Sequence, residues 1–236
     1  MRRYLAGSEA IERALAAGEP VRVLLYDRDR ASPAVQALAT RAQASGVALW
    51  RGGTGDLRRM ARAQQAPDAI AMVGPEPRPD LPALLRRRGA LWLLDRAAYP
   101  SNVGFAIRTA EVSGCEGVIV DADFNHEQRS RVQHVSMGAD RVMPVLWEPT
   151  ATVLVAAARA GYRLIALEDS GQRAPWEVDL TGPVVLLVGN ERTGLAAEVL
   201  SRCDAVVRLP MAGFVPSYNL QAALSAVALE RLRQSA

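Results

Sequence analysis

The sequence predicts an α/β protein in two parts, a small α/β unit followed by a larger domain built on a parallel sheet. Three observations carry that prediction. Short, nearly continuous apolar runs of strand length alternate with helical patterns along most of the chain, the signature of parallel strands covered on both faces. Half of the 236 residues are apolar, enough material for two cores. Four prolines crowd into Pro75-Glu76-Pro77-Arg78-Pro79-Asp80-Leu81-Pro82, a stretch that suits neither a helix interior nor a central strand. The expected organisation is a unit over 1–76, a Pro/Arg-rich linker over 77–88 and a domain over 89–236.

In the first part, 21–26, 47–50 and 68–74 read as strands, and 33–45 and 55–64 read as helices. The N-terminal Met1-Arg2-Arg3-Tyr4 reads as the lead into an Ala/Glu-rich helical pattern. In the second part, the apolar runs at 90–94, 117–121, 141–146, 163–167, 184–188 and 205–209 read as strands. Helical spacing follows at 103–113, 150–160, 195–202 and 217–233. A doubly wound sheet of this kind carries its ligand at the carboxyl ends of the strands.

Composition narrows the function classes. No apolar stretch approaches the 18 residues of a membrane span, and the N-terminus has no apolar signal core, so a soluble, cytoplasmic protein is expected. Cys115 and Cys203 stand alone, and His126 and His134 lie in a polar stretch without a second ligand pair, so no metal site is expected. The chain has no lysine, and all 28 basic residues are arginine. Residues 1–88 hold 15 Arg against 9 Asp and Glu, a net of +6, whereas 89–236 hold 13 Arg against 16 acids, a net of −3. That asymmetry assigns much of any polyanion contact to the first part, although a net of +6 is also what a solvated surface carries.

Three segments of the second part carry the candidate chemistry. The first is Asn102-Val103-Gly104-Phe105-Ala106-Ile107-Arg108-Thr109-Ala110, where Asn102 reads as a helix N-cap. Phe105, Arg108 and Val112 share one helical stripe there, and Arg108 either pairs with Glu111 or points outward at a ligand. The second, Gly189-Asn190-Glu191-Arg192-Thr193-Gly194-Leu195, follows an apolar strand and reads as a tight glycine-bracketed turn opening a helix. It is no Walker loop, because Leu195 stands where that motif requires lysine. The third, Leu209-Pro210-Met211-Ala212-Gly213-Phe214-Val215-Pro216-Ser217-Tyr218-Asn219-Leu220, leaves a strand and enters the last helix, with Ser217 and Asn219 as capping candidates.

In order and spacing these segments resemble the three motifs of the SpoU/TrmH branch of the SPOUT methyltransferases, and 133–139 extends the resemblance across nearly all of 89–236. The resemblance implies a domain with a deep trefoil knot, an exception to the unknotted rule, entered from about residue 184 onward. It implies transfer of a methyl group from S-adenosylmethionine to a ribose 2′-hydroxyl of structured RNA, rRNA ahead of tRNA, by a homodimer built on the C-terminal helix. It also implies the site: Asn102, Arg108, Glu191, Ser217 and Asn219 as catalytic residues, and Leu187, Gly189, Leu209, Pro210, Met211 and Tyr218 around the cofactor. Arg108, together with Arg129 and Arg131, is expected at the RNA. A guanidinium has no basic lone pair at neutral pH, so the role expected of Arg108 is to orient the hydroxyl and stabilise the developing alkoxide. The first part resembles the ribosomal-protein-L30-like substrate-binding domain found in front of many such catalytic domains. Tyr218 stands where the family usually has leucine, which leaves open a catalytically silent RNA-binding paralogue with a closed cofactor pocket. A tRNA methyltransferase is the other alternative.

Overall fold

The computed structural model describes residues 3–75, 78–215 and 217–236. Met1, Arg2, Glu76, the first linker residue Pro77, and Pro216 of the third segment lie outside the described residues. The chain divides into two compact units, residues 1–77 and 78–236.

The first unit runs β1 (Arg3–Ala6), α1 (Ser8–Ala16), β2 (Val21–Tyr26), α2 (Pro33–Ala44), β3 (Ala48–Arg51), α3 (Thr54–Ala61) and β4 (Ala69–Val73). Its sheet has the order β1-β4-β2-β3, with β2 and β3 parallel and β4 antiparallel to both β1 and β2. β1 was not expected from the sequence. The helical pattern begins only at Ser8, because Gly7 turns the chain at φ 94°, and the four residues before it pair with β4. Ile11, Leu24, Val35 and Leu38 are fully buried at the centre of this unit. Ser32 caps α2 through the backbone N–H of Val35, with Pro33 preset in the first turn.

The second unit opens earlier than the linker reading allowed. Residues 81–85 form α4 (Leu81–Leu85), capped by Asp80, whose carboxylate accepts the Ala83 N–H at 2.7 Å. Leu81, Leu84 and Leu85 are buried in the second unit's core. Pro82 is tolerated because the first turn of a helix needs no intrahelical donor there; proline density alone misread this helix start as linker.

There follow β5 (Leu91–Leu94), α5 (Pro100–Val112), β6 (Gly117–Val120), α6 (His126–Val135), β7 (Val145–Trp147), α7 (Thr150–Arg159), β8 (Arg163–Leu167), β9 (Val184–Val188), α8 (Ala197–Leu200), β10 (Ala205–Val207) and α9 (Leu220–Gln234). The six strands form one parallel sheet in the order β10-β8-β9-β5-β6-β7. Alternate residues serve opposite cores: Trp92 and Leu94 pack with α5 and α9, Leu91 and Leu93 with α4 and α7. This period of two with both faces buried is why the strands read as continuous apolar runs.

α6 was read from sequence only as a polar stretch. It is nevertheless a helix, started by a reciprocal capping box between Asn125 and Gln128. It buries Val132, and it packs against α5 at Gly104, where a Cβ would lie 2.6 Å from that of Val135. The run at 141–146 is strand only from Val145, since 139–141 form a 3-10 turn.

Strand succession reverses between β5 and β9. The chain moves outward from β5 to β7, then crosses to the other side of β5, laying down β8, then β9 between β8 and β5, then β10 at the far edge. The carboxyl ends of β5 and β9 therefore open a crevice of the kind in which α/β sheets hold ligands.

Candidate active site

A cavity of about 330 Å³ fills that crevice, within the range of small-molecule sites. Its walls come from the loops after β5, β8, β9 and β10: Tyr99 and Asn102; Leu167, Glu168 and Asp169; Val188 to Glu191; and Leu209 with the chain leading into α9. All three candidate segments contribute, although they lie up to 117 residues apart.

Glu191 is the knot of hydrogen bonds that joins them. One carboxylate oxygen accepts the backbone N–H of Ala98 at 2.8 Å, and the other accepts the N–H of Tyr99 at 3.3 Å and the Asn102 side-chain amide at 3.0 Å. These groups surround the start of α5, where Pro100 holds the first turn. Asn102 is therefore not the N-cap expected from sequence. The helix begins two residues earlier, and a carboxylate from the next loop does the capping, favoured by the helix dipole by about 0.3–1 kcal/mol. Asn102 is left free to accept, through Oδ1, a bond of 3.4 Å from the amide of Asn219. Asn219 itself caps α9 by accepting the Gln221 N–H at 2.9 Å. One Glu-Asn-Asn chain thus ties three loops and two helix starts.

The turn around Glu191 is organised by Asn190, which the sequence reading did not single out. Its side-chain oxygen accepts the N–H groups of Arg192 and Thr193 at 2.9 and 3.2 Å, and its amide donates to the Arg96 carbonyl at 2.6 Å. Gly189 and Gly194 are required for the return. A Cβ on Gly189 would stand 2.3 Å from the Gly194 carbonyl carbon, and Gly194 has φ +63° with Glu168 Oε2 2.6 Å from its own Cβ position. Glu168 closes the arrangement by accepting the Leu195 N–H at 2.8 Å. Only the assembled sheet brings Glu168 there, from 27 residues away.

Of the residues expected around a cofactor, Gly189, Leu209, Met211 and Tyr218 line the cavity. Leu187 does not. It is fully buried in the core between the sheet and α4 and α7, because on β9 the residue facing the cavity is its neighbour Val188. Pro210 also stands outside the lining, and its carbonyl accepts the Tyr218 hydroxyl at 2.9 Å. Tyr218 is half exposed and borders the cavity without filling it. Ser217 lines the wall, but α9 starts at Leu220 and not at 217 as the helical spacing implied.

Arg108 is not among the lining residues. It lies six residues after Asn102 on α5, roughly 240° around the helix, and points into a separate groove of about 410 Å³ between α5 and α9. Phe105, Val112, Ser225 and Leu229 share that groove. Arg108 is exposed, and no hydrogen bond or ion pair of its guanidinium is seen among the described residues. Arg129 and Arg131 sit on α6. Both are exposed; Arg129 donates to the Phe124 carbonyl at 3.2 Å and stacks 4.4 Å from the Trp147 ring centre.

Other arginines approach the cavity that sequence reasoning missed. Arg208 lines it, and Arg96 donates to the buried carboxylate of Asp95 and to the Gly194 carbonyl. Arg192 donates through Nε to the Tyr99 hydroxyl at 3.1 Å. No group of three or more His, Cys, Asp and Glu side chains fit to hold a metal occurs among the described residues. The Cys203 thiol is pushed up to about 11 by burial and then by neighbouring Asp204, which makes it a poor nucleophile.

Comparisons with known proteins agree with this architecture. Residues 90–229 match the model of the SpoU rRNA Methylase family. The 23S rRNA (guanosine-2′-O-)-methyltransferase RlmB of Pseudomonas aeruginosa is 33% identical over 145 residues, which cover 61% of this chain and 58% of that protein. This chain therefore spans less than two thirds of the length of that relative. The 23S rRNA (uridine(2479)-2′-O)-methyltransferase of Streptomyces viridochromogenes is 30% identical over 236 residues, covering 97% of this chain and 81% of its own. The crystal structure of the SpoU methyltransferase AviRb from the same organism, in complex with AdoMet, superposes with a TM-score of 0.61 at 28% identity, over 99% of this chain and 90% of that one. With the family model matched across most of the second unit and a full-length relative beside it, this chain belongs to the SpoU rRNA methylase family.

Proposed function

We propose that this protein is an S-adenosylmethionine-dependent RNA 2′-O-ribose methyltransferase acting on ribosomal RNA in the cytoplasm. The observation that carries this reading is the convergence of three loops on one cavity at the β5/β9 switch point, held by the Glu191-Asn102-Asn219 chain. The activities by which the Pseudomonas and Streptomyces relatives are named support the choice of ribose and of rRNA. The residues present fit the cofactor. Leu167, Val188 and Leu209 offer apolar surface for a flat base, and Gly189 leaves its backbone open to a ligand. The Glu168 and Asp169 carboxylates suit hydroxyl or ammonium groups. When bound, S-adenosylmethionine supplies an activated methyl group on a sulfonium. Tyr218 borders the cavity without closing it, which favours an enzyme over a silent paralogue.

Arg108 works on the acceptor side in this reading. Its planar fork orients the ribose hydroxyl or the adjacent phosphate and stabilises the alkoxide as it forms. Because Arg108 faces the α5/α9 groove and not its own cavity, it is supplied across a homodimer interface. Phe105, Val112, Leu229 and Leu232 expose large apolar side chains on that face, the kind of surface a second copy covers. The first unit, with 11 Arg against 8 Asp and Glu over residues 1–77 and so a net of +3, adds phosphate contacts that set affinity without reading sequence. No helix among the described residues is long and apolar enough to cross a membrane.

The test is incubation of the protein with labelled S-adenosylmethionine and total bacterial RNA. Label is expected in 23S-sized RNA at a nucleotide resistant to alkaline cleavage on its 3′ side. Label confined to tRNA, or attached to a base, would overturn the assignment.

A further inference from the structure

One pair at the cavity mouth is used by nothing described so far. Tyr99 lines the cavity yet leaves 41% of its surface exposed. Its backbone N–H is held by Glu191, its hydroxyl accepts Arg192 Nε at 3.1 Å, and the Arg192 guanidinium lies 5.7 Å from the ring centre. The ring is therefore fixed from both ends while its surface stays open to solvent. Arg192 is exposed and, although the Glu191 charge acts on it through space, it makes no close ion pair with a carboxylate among the described residues. The neighbouring Glu191 is already committed to Ala98, Tyr99 and Asn102. With Nε given to Tyr99, both terminal amino groups of Arg192 remain available as donors. Phe214, although fully exposed on the neighbouring loop, has no such anchor.

An aromatic ring of fixed orientation beside an uncommitted guanidinium is what an unpaired nucleotide needs, a face for its base and donors for its phosphate. We infer that Tyr99 and Arg192 form a clamp for a single-stranded RNA nucleotide at the cavity mouth, Tyr99 stacking on its base and Arg192 binding its phosphate. This rests on the reading of the cavity as the place of methyl transfer to RNA. It adds that the acceptor is presented unpaired, because a base held in a duplex stack has no free face to offer Tyr99.

The clamp is tested on the full-length protein by fluorescence anisotropy. The probes are labelled hexaadenylate, labelled hexauridylate and a 12-base-pair RNA duplex, with S-adenosylhomocysteine affinity measured in parallel by calorimetry. Tyr99→Leu should weaken hexaadenylate binding by about 5- to 100-fold, the scale of one lost base–aromatic contact. It should also shrink the preference for adenylate over uridylate and leave duplex binding within twofold. Tyr99→Trp should retain single-strand binding. Arg192→Ala should lower the magnitude of the salt slope by about 1. Single-strand affinity unchanged in Tyr99→Leu, or a loss confined to S-adenosylhomocysteine, would overturn the clamp. Methyl transfer by the wild-type protein to total ribosomal RNA is scored separately. If the wild type transfers nothing while Tyr99→Leu still loses hexaadenylate, the proposed function fails and the clamp stands. If the wild type methylates and Tyr99→Leu keeps its KM for RNA, the clamp alone fails.

Discussion

The two ends of α5 present opposite environments. At its start, each polar group is committed: Glu191 to two backbone amides and Asn102, and Asn102 to Asn219. Along its outer face, Arg108 is committed to nothing described and lies among the apolar side chains of Phe105, Val112 and Leu229. A closed network has spent its hydrogen bonds on building the site, so its members chiefly position loops. Arg108 stands outside that network, exposed between apolar neighbours, and the proposed function gives its donors an acceptor outside the chain. In the proposed function the division separates residues that make the cavity from one that serves it, although sequence places all of them in one catalytic set.

The largest expected break in that contrast comes at Arg108. Arg108→Ala should lower methyl transfer by about a hundredfold or more, the scale of a lost transition-state hydrogen bond, while the melting temperature and S-adenosylhomocysteine affinity stay near wild type. Arg108→Lys should rescue poorly, since it keeps charge without the fork. Near wild-type turnover by a folded Arg108→Ala protein would remove Arg108 from the site.

Glu191→Ala should show the reverse balance. Three donors lose their acceptor, and the cost at a helix start is about 0.5–2 kcal/mol, visible as a lower melting temperature with weaker cofactor binding. A variant with unchanged melting would mean that the loops are held by something other than this network.

Leu229→Glu sharpens the other side. A charge in the α5/α9 groove should raise the dissociation constant of the proposed dimer by about tenfold or more, roughly 1.4 kcal/mol or above, as read by sedimentation. Methyl transfer should fall in parallel with the dimer fraction if Arg108 acts across the interface. A monomeric variant with full turnover would place Arg108 on its own chain's substrate.

The smallest effect concerns Glu230 near the end of α9. Its carboxylate is lowered to about 2, first by the Arg233 hydrogen bonds and then by Gln234. Gln234 in turn donates to the Val178 carbonyl and accepts the Leu180 N–H. A folded value below the unfolded one of about 4.3 means that the contribution is complete above the unfolded value. It is lost as pH falls through 2. The protection of the Leu180 N–H from exchange, relative to its intrinsic rate at each pH, should therefore fall between about pH 4 and pH 2, and Glu230→Gln should abolish that dependence.

Much was legible in the linear chain because its signals are local. Buried strands such as 184–188 are continuous apolar runs, and 163–167 and 21–26 coincide with observed strands to the residue. The three candidate segments could be found because each is short and contiguous. Local signals failed where two kinds of structure share one composition. Four prolines look alike in a linker and at the capped start of α4, and a polar run such as 126–135 makes a helix once Asn125 caps it.

What the sequence by itself determined is which residue types stand at the ends of which strands, since apolar periodicity and turn glycines are properties of neighbours in the chain. Which of those residues meet was decided only by the tertiary structure. The β5/β9 reversal brings Glu191 to the start of α5, Glu168 beneath Gly194, and Arg192 to Tyr99. The pitch of α5 turns Arg108 away from the cavity that Asn102 helps to line. Hydrogen bonds of about 3 Å between residues up to about a hundred positions apart leave no trace in local spacing, because they depend on strand order and helix phase.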